Sequence, residues 1–264
     1  MSCHETSRNR NPYPGPRPFG PDEHDLFFGR ERERRELLSL IIAHPVVVLY
    51  AQSGAGKTSL LNAGLVPLLR EKDFEVLLLP RVCGLVLDEP DVQKTDNVYM
   101  FSALAGGSQE RDDVKPLVST SLAAFLRGRS HALDKHGQCA PRVIVFDQLE
   151  ELFTFYPERW KDREGFFRQV NEALQEDPLL RVLFAIREDY LANVDHYAHL
   201  LPEFLRTRYR LECLRAEPAS LAIEKPLEGT GCSYADGVAA ELVQRLLTIQ
   251  VEPPPQKKGG SGES

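Results

Sequence analysis

The sequence lacks the usual marks of an oxidising compartment, a bilayer or a nucleic-acid surface. Its five cysteines, Cys3, Cys83, Cys139, Cys213 and Cys232, are odd in number, far apart and without a CxxC pair, so neither a disulfide framework nor a zinc site is indicated. They read as reduced structural thiols in a cytosol. No apolar run is long enough to cross a bilayer, and the N-terminal "MSCHETSRNRNPYPGPRPFG" has no apolar signal-peptide core. The expectation is a cytoplasmic chain with no membrane partner. Acidic side chains outnumber basic ones, 39 to 32, and the formal charge of −7 offers no long-range pull on nucleic acid. What is present is a chain of 264 residues with 42% hydrophobic side chains, enough to bury a sizeable core.

The first twenty residues hold Pro12, Pro14, Pro16 and Pro18 and no periodic apolar pattern, which predicts an extended arm. A helix is predicted from near Arg30 through "ERERRELLSLIIA", with Glu31/Arg35 and Arg32/Glu36 spaced to pair on its exposed face; His44-Pro45 ends it. Five apolar runs read as buried strands: "VVVLY" (46–50), "EVLLL" (75–79), "RVIVF" (142–146), "RVLFAI" (181–186) and, less cleanly, "RYRLECL" (208–214). Segments 59–70, 117–127 and 162–175 have helical spacing, and this alternation predicts an α/β fold, a parallel sheet covered by helices. The stretch 84–112 reads as an irregular connection with a short helix around "VYMFSALAG". After Leu214, "PASLAIEKPLEGTG" (218–231) and "YADGVAAELVQRLLTI" (234–249) are predicted helical, and "VEPPPQKKGGSGES" disordered. The domain expectation is an arm over 1–24, an α/β domain over 25–215, a partial helical subdomain over 216–250 and a tail over 251–264.

The segment "LYAQSGAGKTSLL" (49–61) runs from an apolar strand through a glycine-spaced turn into an apolar helix. It fits the phosphate-loop pattern G-x-x-x-x-G-K-[ST], with Ala51 in place of the first glycine. In that pattern backbone N–H groups wrap the phosphates, the lysine reaches the β and γ phosphates and the hydroxyl ligates magnesium. The helix dipole favours the same anion. Candidate phosphate-binding residues are therefore Ser53, Gly54, Ala55, Gly56, Lys57, Thr58 and Ser59, with Thr58 also a magnesium ligand.

Such a loop needs an acid at the end of a neighbouring strand to hold the metal. "LVLDEP" (85–90) follows too soon, sits among Cys83-Gly84 and Pro90-Asp91, and has no LSGGQ-like signature before it. It reads as a surface loop. "VIVFDQLEELF" (143–153) instead places Asp147 directly after four apolar residues, and Glu150 and Glu151 follow one helical turn later. Either glutamate could orient or deprotonate an attacking water, or both could simply be the acidic first turn of a helix. Arg187, at the end of "FAIREDYLANV", is the candidate for sensing a γ-phosphate; pairing with Glu188 or Asp189 is the competing reading. Arg206, Arg208 and Arg210 alternate onto one strand face and receive no role.

Taken together, "NPYPGPRPFGPDEHDLFFGRERE", "SGAGKTSLLNAGLVPLL", "NVYMFSAL", "VIVFDQLEELF", "FAIREDYLANV" and "RYRLECLRAEPASLAIEKPLEGTG" resemble the STAND class of P-loop NTPases, in its novel bacterial branch, over about residues 11–250. The resemblance implies a three-layer P-loop NTPase sandwich with sheet order 5-1-4-3-2. It also implies an ATP-dependent switch, closed with ADP and opened by ATP, that oligomerises to activate an effector. Carried over by position, it makes Gly29 and Arg30 part of the adenine-side wall and Lys57 and Thr58 contacts to phosphate and Mg2+. Asp147 becomes the acidic magnesium residue, Glu150 and Glu151 the paired acids, Arg187 the sensor, and Pro226 of "AIEKPL" the proline near the base. Family members continue past "VEP" into further helices and usually repeats, so a shortened member is expected, with its effector or sensor on another chain or a homo-oligomer as its assembly.

Other classes use the same loop. A small-molecule kinase would need a mobile basic lid, for which only the 206–210 arginines are available. A GTP switch would need Asn-Lys-x-Asp, which does not occur. A non-catalytic nucleotide-binding remnant or scaffold would keep the loop without turnover, and a DNA-loading ATPase would show salt-sensitive DNA binding, against the net charge.

Overall fold

The five apolar runs become five parallel strands: β1 (Val46–Ala51), β2 (Glu75–Leu79), β3 (Arg142–Phe146), β4 (Leu180–Arg187) and β5 (Arg208–Arg210). The computed structural model describes residues 11–79, 95–106 and 115–249. Spatial order is β2-β3-β4-β1-β5, the expected 5-1-4-3-2 read from the other edge. Register is continuous across the centre, with Val46–Ala51 opposite Val182–Arg187 and Arg142–Phe146 opposite Leu180–Phe184. Because every strand runs the same way, Ala51, Phe146 and Arg187 finish on one edge, where an open α/β sheet carries its ligands.

The chain forms two units. The first comprises, of the described chain, residues 16–24, 30–79, 95–106 and 115–213. Its core lies on both faces of the sheet, as near-continuous apolar runs in β1, β3 and β4 require. One face, with Val46, Val48, Ile144, Phe146, Val182 and Phe184, meets Val98–Gly106, Leu122–Arg127 and Lys161–Glu176, which supply Tyr99, Leu126, Phe166, Phe167 and Val170. Glu31–Ala43 packs on the sheet as well, contributing Leu37, Leu38 and Ile41, and its C-terminus is set by His44, held extended before Pro45. Of the two pairs anticipated on that helix, Arg32–Glu36 forms at 2.7 Å, and Arg35 donates to the main-chain carbonyl of Glu31 instead.

Arg142, at the start of β3, is the largest side chain in the fully buried set. Its guanidinium is satisfied by Glu75 Oε2 at 2.9 Å and by the carbonyls of Leu126, Arg129 and Ser130. The helix predicted at 117–127 is split into a 3-10 turn Lys115–Ser119 and a helix begun at Leu122, because Ser121 caps it by accepting from the Ala124 N–H. The last strand stops at Arg210 rather than 214: as an edge strand it has only β1 to pair with. The helix expected around "VYMFSALAG" is Val98–Gly106, whereas "LVLDEP" lies outside the described residues.

The second unit groups residues 11–15, 25–29 and 214–249 of the described chain. Helices Ala216–Glu224 and Val238–Ile249 pack on each other. The Tyr13 hydroxyl donates to the Ile223 carbonyl at 2.6 Å and lies 3.2 Å from the Tyr234 hydroxyl. Gly29, at φ +83°, passes so close to this helix that an added Cβ would stand 2.3 Å from the Pro218 carbonyl oxygen; only glycine fits there. Among the described cysteines, Cys139 and Cys232 are free and exposed, so packing is not their role, contrary to the structural reading; Cys3 and Cys83 lie outside the described residues. Among the described residues no helix is long and apolar enough to cross a membrane.

Candidate nucleotide-binding site

The loop after β1 turns because Gly54 and Gly56 take φ of +80° and +93°, and the helix starts directly at Lys57. The helix is not uniform: Lys57–Ser59 is α-helical, Leu60–Leu65 is π-helical, and Val66–Glu71 is α-helical again. A π segment next to a ligand loop is a common site of local adaptation. Arg30, with a side chain only 6% exposed, braces the loop by pairing with Glu33 at 2.6 Å and donating to the Ala55 carbonyl at 3.1 Å. Ser53 is exposed at the loop tip, and Ala55 is buried beneath it.

Lys57 folds back on its own loop, with Nζ 3.3 Å from the Ala51 carbonyl oxygen and 3.5 Å from that of Gln52. Burial holds its pKa below the usual lysine value, opposed by the charges of Glu150, Asp147 and Asp189 and reinforced by that of Arg187. The Thr58 hydroxyl donates to Asp147 Oδ2 at 2.7 Å, joining the first helical turn to the end of β3. Asp147 is 7% exposed, and burial raises its pKa despite that bond and a second one from the Gln148 N–H. Gln148 donates its N–H to the carboxylate and takes φ +54°, a left-handed turn that redirects the chain after Asp147.

Glu150 and Glu151, indistinguishable by spacing, face different surroundings. Glu150 Oε2 accepts the Arg187 main-chain N–H at 3.2 Å, and its charge acts on Lys57. Glu151 is 7% exposed, in the first turn of Glu151–Thr154. Arg187 stands opposite Ala51 in the sheet register, and its guanidinium pairs with Asp189 at 2.6 Å and lies over the Tyr190 ring. The structure thus gathers Lys57, Thr58, Asp147, Glu150 and Arg187 at one sheet edge. Gly29 and Pro226 belong to the second unit, where Pro226 is buried in the turn Lys225–Leu227.

Two features escaped the sequence. The Ser59 hydroxyl accepts the Phe19 N–H at 3.2 Å and Asn62 donates to the Phe19 carbonyl at 3.3 Å, so the proline-rich arm is tied to the phosphate-loop helix. Nothing local in "PRPFG" announces that contact. Of the three 206–210 arginines, the only candidates for a kinase lid, two are committed elsewhere: Arg208 pairs with Asp195, Arg210 pairs with Glu188 and Glu212, and both sit in the edge strand β5. Among the described residues no group of three or more His, Cys, Asp or Glu is placed to hold a metal. Thr58 and Asp147 are nonetheless a hard-oxygen pair suited to Mg2+ if phosphate and water complete its shell.

A parallel five-stranded sheet with a phosphate loop after β1 and an acid after β3 defines a P-loop NTPase module. The chain belongs to the family described as Novel STAND NTPase 1, whose profile matches residues 12–254. Among curated proteins, the ATP-dependent RNA helicase FAL1 of Saccharomyces cerevisiae is 28% identical over 151 residues, 53% of this chain and 36% of the helicase. The chain therefore spans about a third of that relative's length. Among solved structures, the Walker-type ATPase PABY2304 of Pyrococcus abyssi superposes with a TM-score of 0.55 at 16% identity, over 86% of this chain and 65% of that one. The E. coli MS115-1 HORMA:CdnC:Trip13 complex gives 0.51 at 16% identity, over 93% and 81%. The Aeropyrum pernix ORC1 protein, solved with DNA, gives 0.52 at 15%, over 84% and 56%. At these identities the likeness is one of fold.

Proposed function

We propose that this chain is the ATP-binding, slowly hydrolysing module of a STAND-type switch for signalling or defence, acting on an effector carried elsewhere or in a homo-oligomer. The observation that carries the reading is the Thr58–Asp147 hydrogen bond at 2.7 Å beside Lys57, with Glu150 anchored on the Arg187 N–H at the same edge. Backbone N–H groups of Gly54–Thr58 bind the phosphates, and Lys57 leaves its loop carbonyls for their oxygens. Bound Mg2+ would be held through Thr58 and Asp147 and would neutralise charge on the β and γ oxygens. The ion would add a second positive charge to that of Lys57 beside the buried Asp147 carboxylate.

Glu150, rather than the buried Glu151, is the residue that orients water and takes its proton, and Arg187 senses the γ-phosphate. Gly29, Arg30 and Pro226 are proposed for the base side, and Ser53, Ala55 and Ser59 for the phosphate side. In this reading the arm covers 1–24, the NTPase domain 25–215 and the partial helical subdomain 216–250. The test is phosphate release under single-turnover conditions by wild type, Glu150→Gln and Glu151→Gln, alongside ATP binding. Loss of release in Glu150→Gln with binding kept supports the assignment. ATP binding without release in the wild type would instead favour the non-catalytic scaffold.

A further inference from the structure

The guanidinium of Arg187 is at the phosphate edge but is not free to act there. Its Nη2 is bonded to Asp189 Oδ2 at 2.6 Å, its plane lies over the Tyr190 ring at 5.4 Å, and its buried Nε has no hydrogen-bond partner among the described residues. The adjacent acid, Glu188, is turned to Arg210 at 3.2 Å, so Asp189 alone of the two takes Arg187. The charges of Arg187 and Asp189 both reach Lys57, which puts the pair within electrostatic range of the loop. Asp189 is half exposed, so solvent and ligand can compete for the arginine.

We infer that Asp189 is a built-in competitor for the terminal phosphate: it holds Arg187 away from the loop and sets the preference between ADP and ATP. The inference rests on the reading that the loop holds these nucleotides. A carboxylate and a terminal phosphate are alternative acceptors for one guanidinium fork, and Arg187 cannot satisfy both with the same N–H groups. ADP has no third phosphate and leaves the Arg187–Asp189 pair intact. ATP must displace Asp189 and also meets its negative charge. An ion pair this exposed biases such an exchange by at most about fivefold. Asp189 is therefore a positioning residue that acts through Arg187.

The test is the affinity for Mg-ATP and Mg-ADP of the wild type, Asp189→Asn, Asp189→Glu, Arg187→Ala and the Arg187→Ala/Asp189→Asn double variant. The expected result is Mg-ATP binding about two- to fivefold tighter in Asp189→Asn, with Mg-ADP unchanged within about twofold. Asp189→Glu restores the wild-type ratio, and the Asp189→Asn gain disappears in the Arg187→Ala background. Three outcomes overturn the inference while leaving the loop's role intact: equal shifts for both nucleotides, weaker ATP binding in Asp189→Asn, or a gain that survives without Arg187. A folded wild type that binds neither nucleotide overturns the reading of the loop, and the inference with it.

Discussion

Replacing Asp147 by asparagine should make the ligand-free protein more stable. The carboxylate is 7% exposed, and it accepts two hydrogen bonds, from Thr58 at 2.7 Å and Gln148 at 2.9 Å, with no ion pair among the described residues beyond the more distant charge of Lys57. Asparagine keeps the shape while removing the buried charge: its carbonyl oxygen accepts the Gln148 N–H, and its amide N–H donates to the Thr58 hydroxyl, which turns to accept. The gain at neutral pH is about 1 kcal/mol, on the order of 0.5–2, which for a domain of this size raises Tm by about 2–4 °C. The sign with pH follows from the raised pKa of the folded carboxyl. Between the ordinary aspartate range and that raised value, the folded state keeps a proton that the unfolded state has lost. Wild-type stability therefore falls as pH rises through this window, and the asparagine variant is spared the loss. Urea unfolding without nucleotide or magnesium, at neutral pH and below about pH 4, measures both effects. The advantage should be present at neutral pH and shrink in acid. A variant less stable than wild type by more than about 1 kcal/mol at neutral pH, or equally advantaged at both, refutes the reasoning.

Two further perturbations test the frame around the site. Arg142→Met leaves Glu75 and the carbonyls of Leu126, Arg129 and Ser130 without their partner and should cost about 3–5 kcal/mol in urea unfolding; a loss under about 1 kcal/mol would show that these groups find substitutes. Gly29→Ala puts a methyl group 2.3 Å from the Pro218 carbonyl oxygen at φ +83° and should destabilise the second unit by about 2 kcal/mol. Hydrogen exchange should quicken in Ala216–Glu224 while β1, β3 and β4 keep their protection; unchanged exchange in that helix would rule the contact out.

Most of the fold was legible because the central strands are buried on both sides, so each reads as an unbroken apolar run, and "RVIVF" ends exactly where β3 does. Asp147 was legible for the same reason, as the first acid after such a run. What the sequence could not show depends on contacts far along the chain. The ties from Ser59 and Asn62 to Phe19 join residues with no shared periodicity. The closeness of Gly29 to Pro218 leaves no trace in "FFGRE". The partners of Arg142 leave no trace in "RVIVF": it is fully buried, with carbonyls from the loop before β3 converging on it. Glu150 and Glu151 are adjacent letters, and only the path of the chain after the left-handed Gln148 sends one to Arg187 and buries the other.

The most direct test of the account is the binding of Mg-ATP to the wild type and to Lys57→Ala by titration calorimetry. Among the described residues the hydrogen bonds of the Lys57 ammonium are long ones to its own loop, so its removal should leave the unfolding midpoint nearly unchanged. Loss of a charge-assisted phosphate contact worth about 1.5–3 kcal/mol should weaken ATP binding by about 10- to 150-fold. Saturable, magnesium-dependent binding by the wild type and that weakening in the variant are the predicted results. Equal binding by both proteins, or none by a folded wild type, would contradict the assignment of this edge as a nucleotide site.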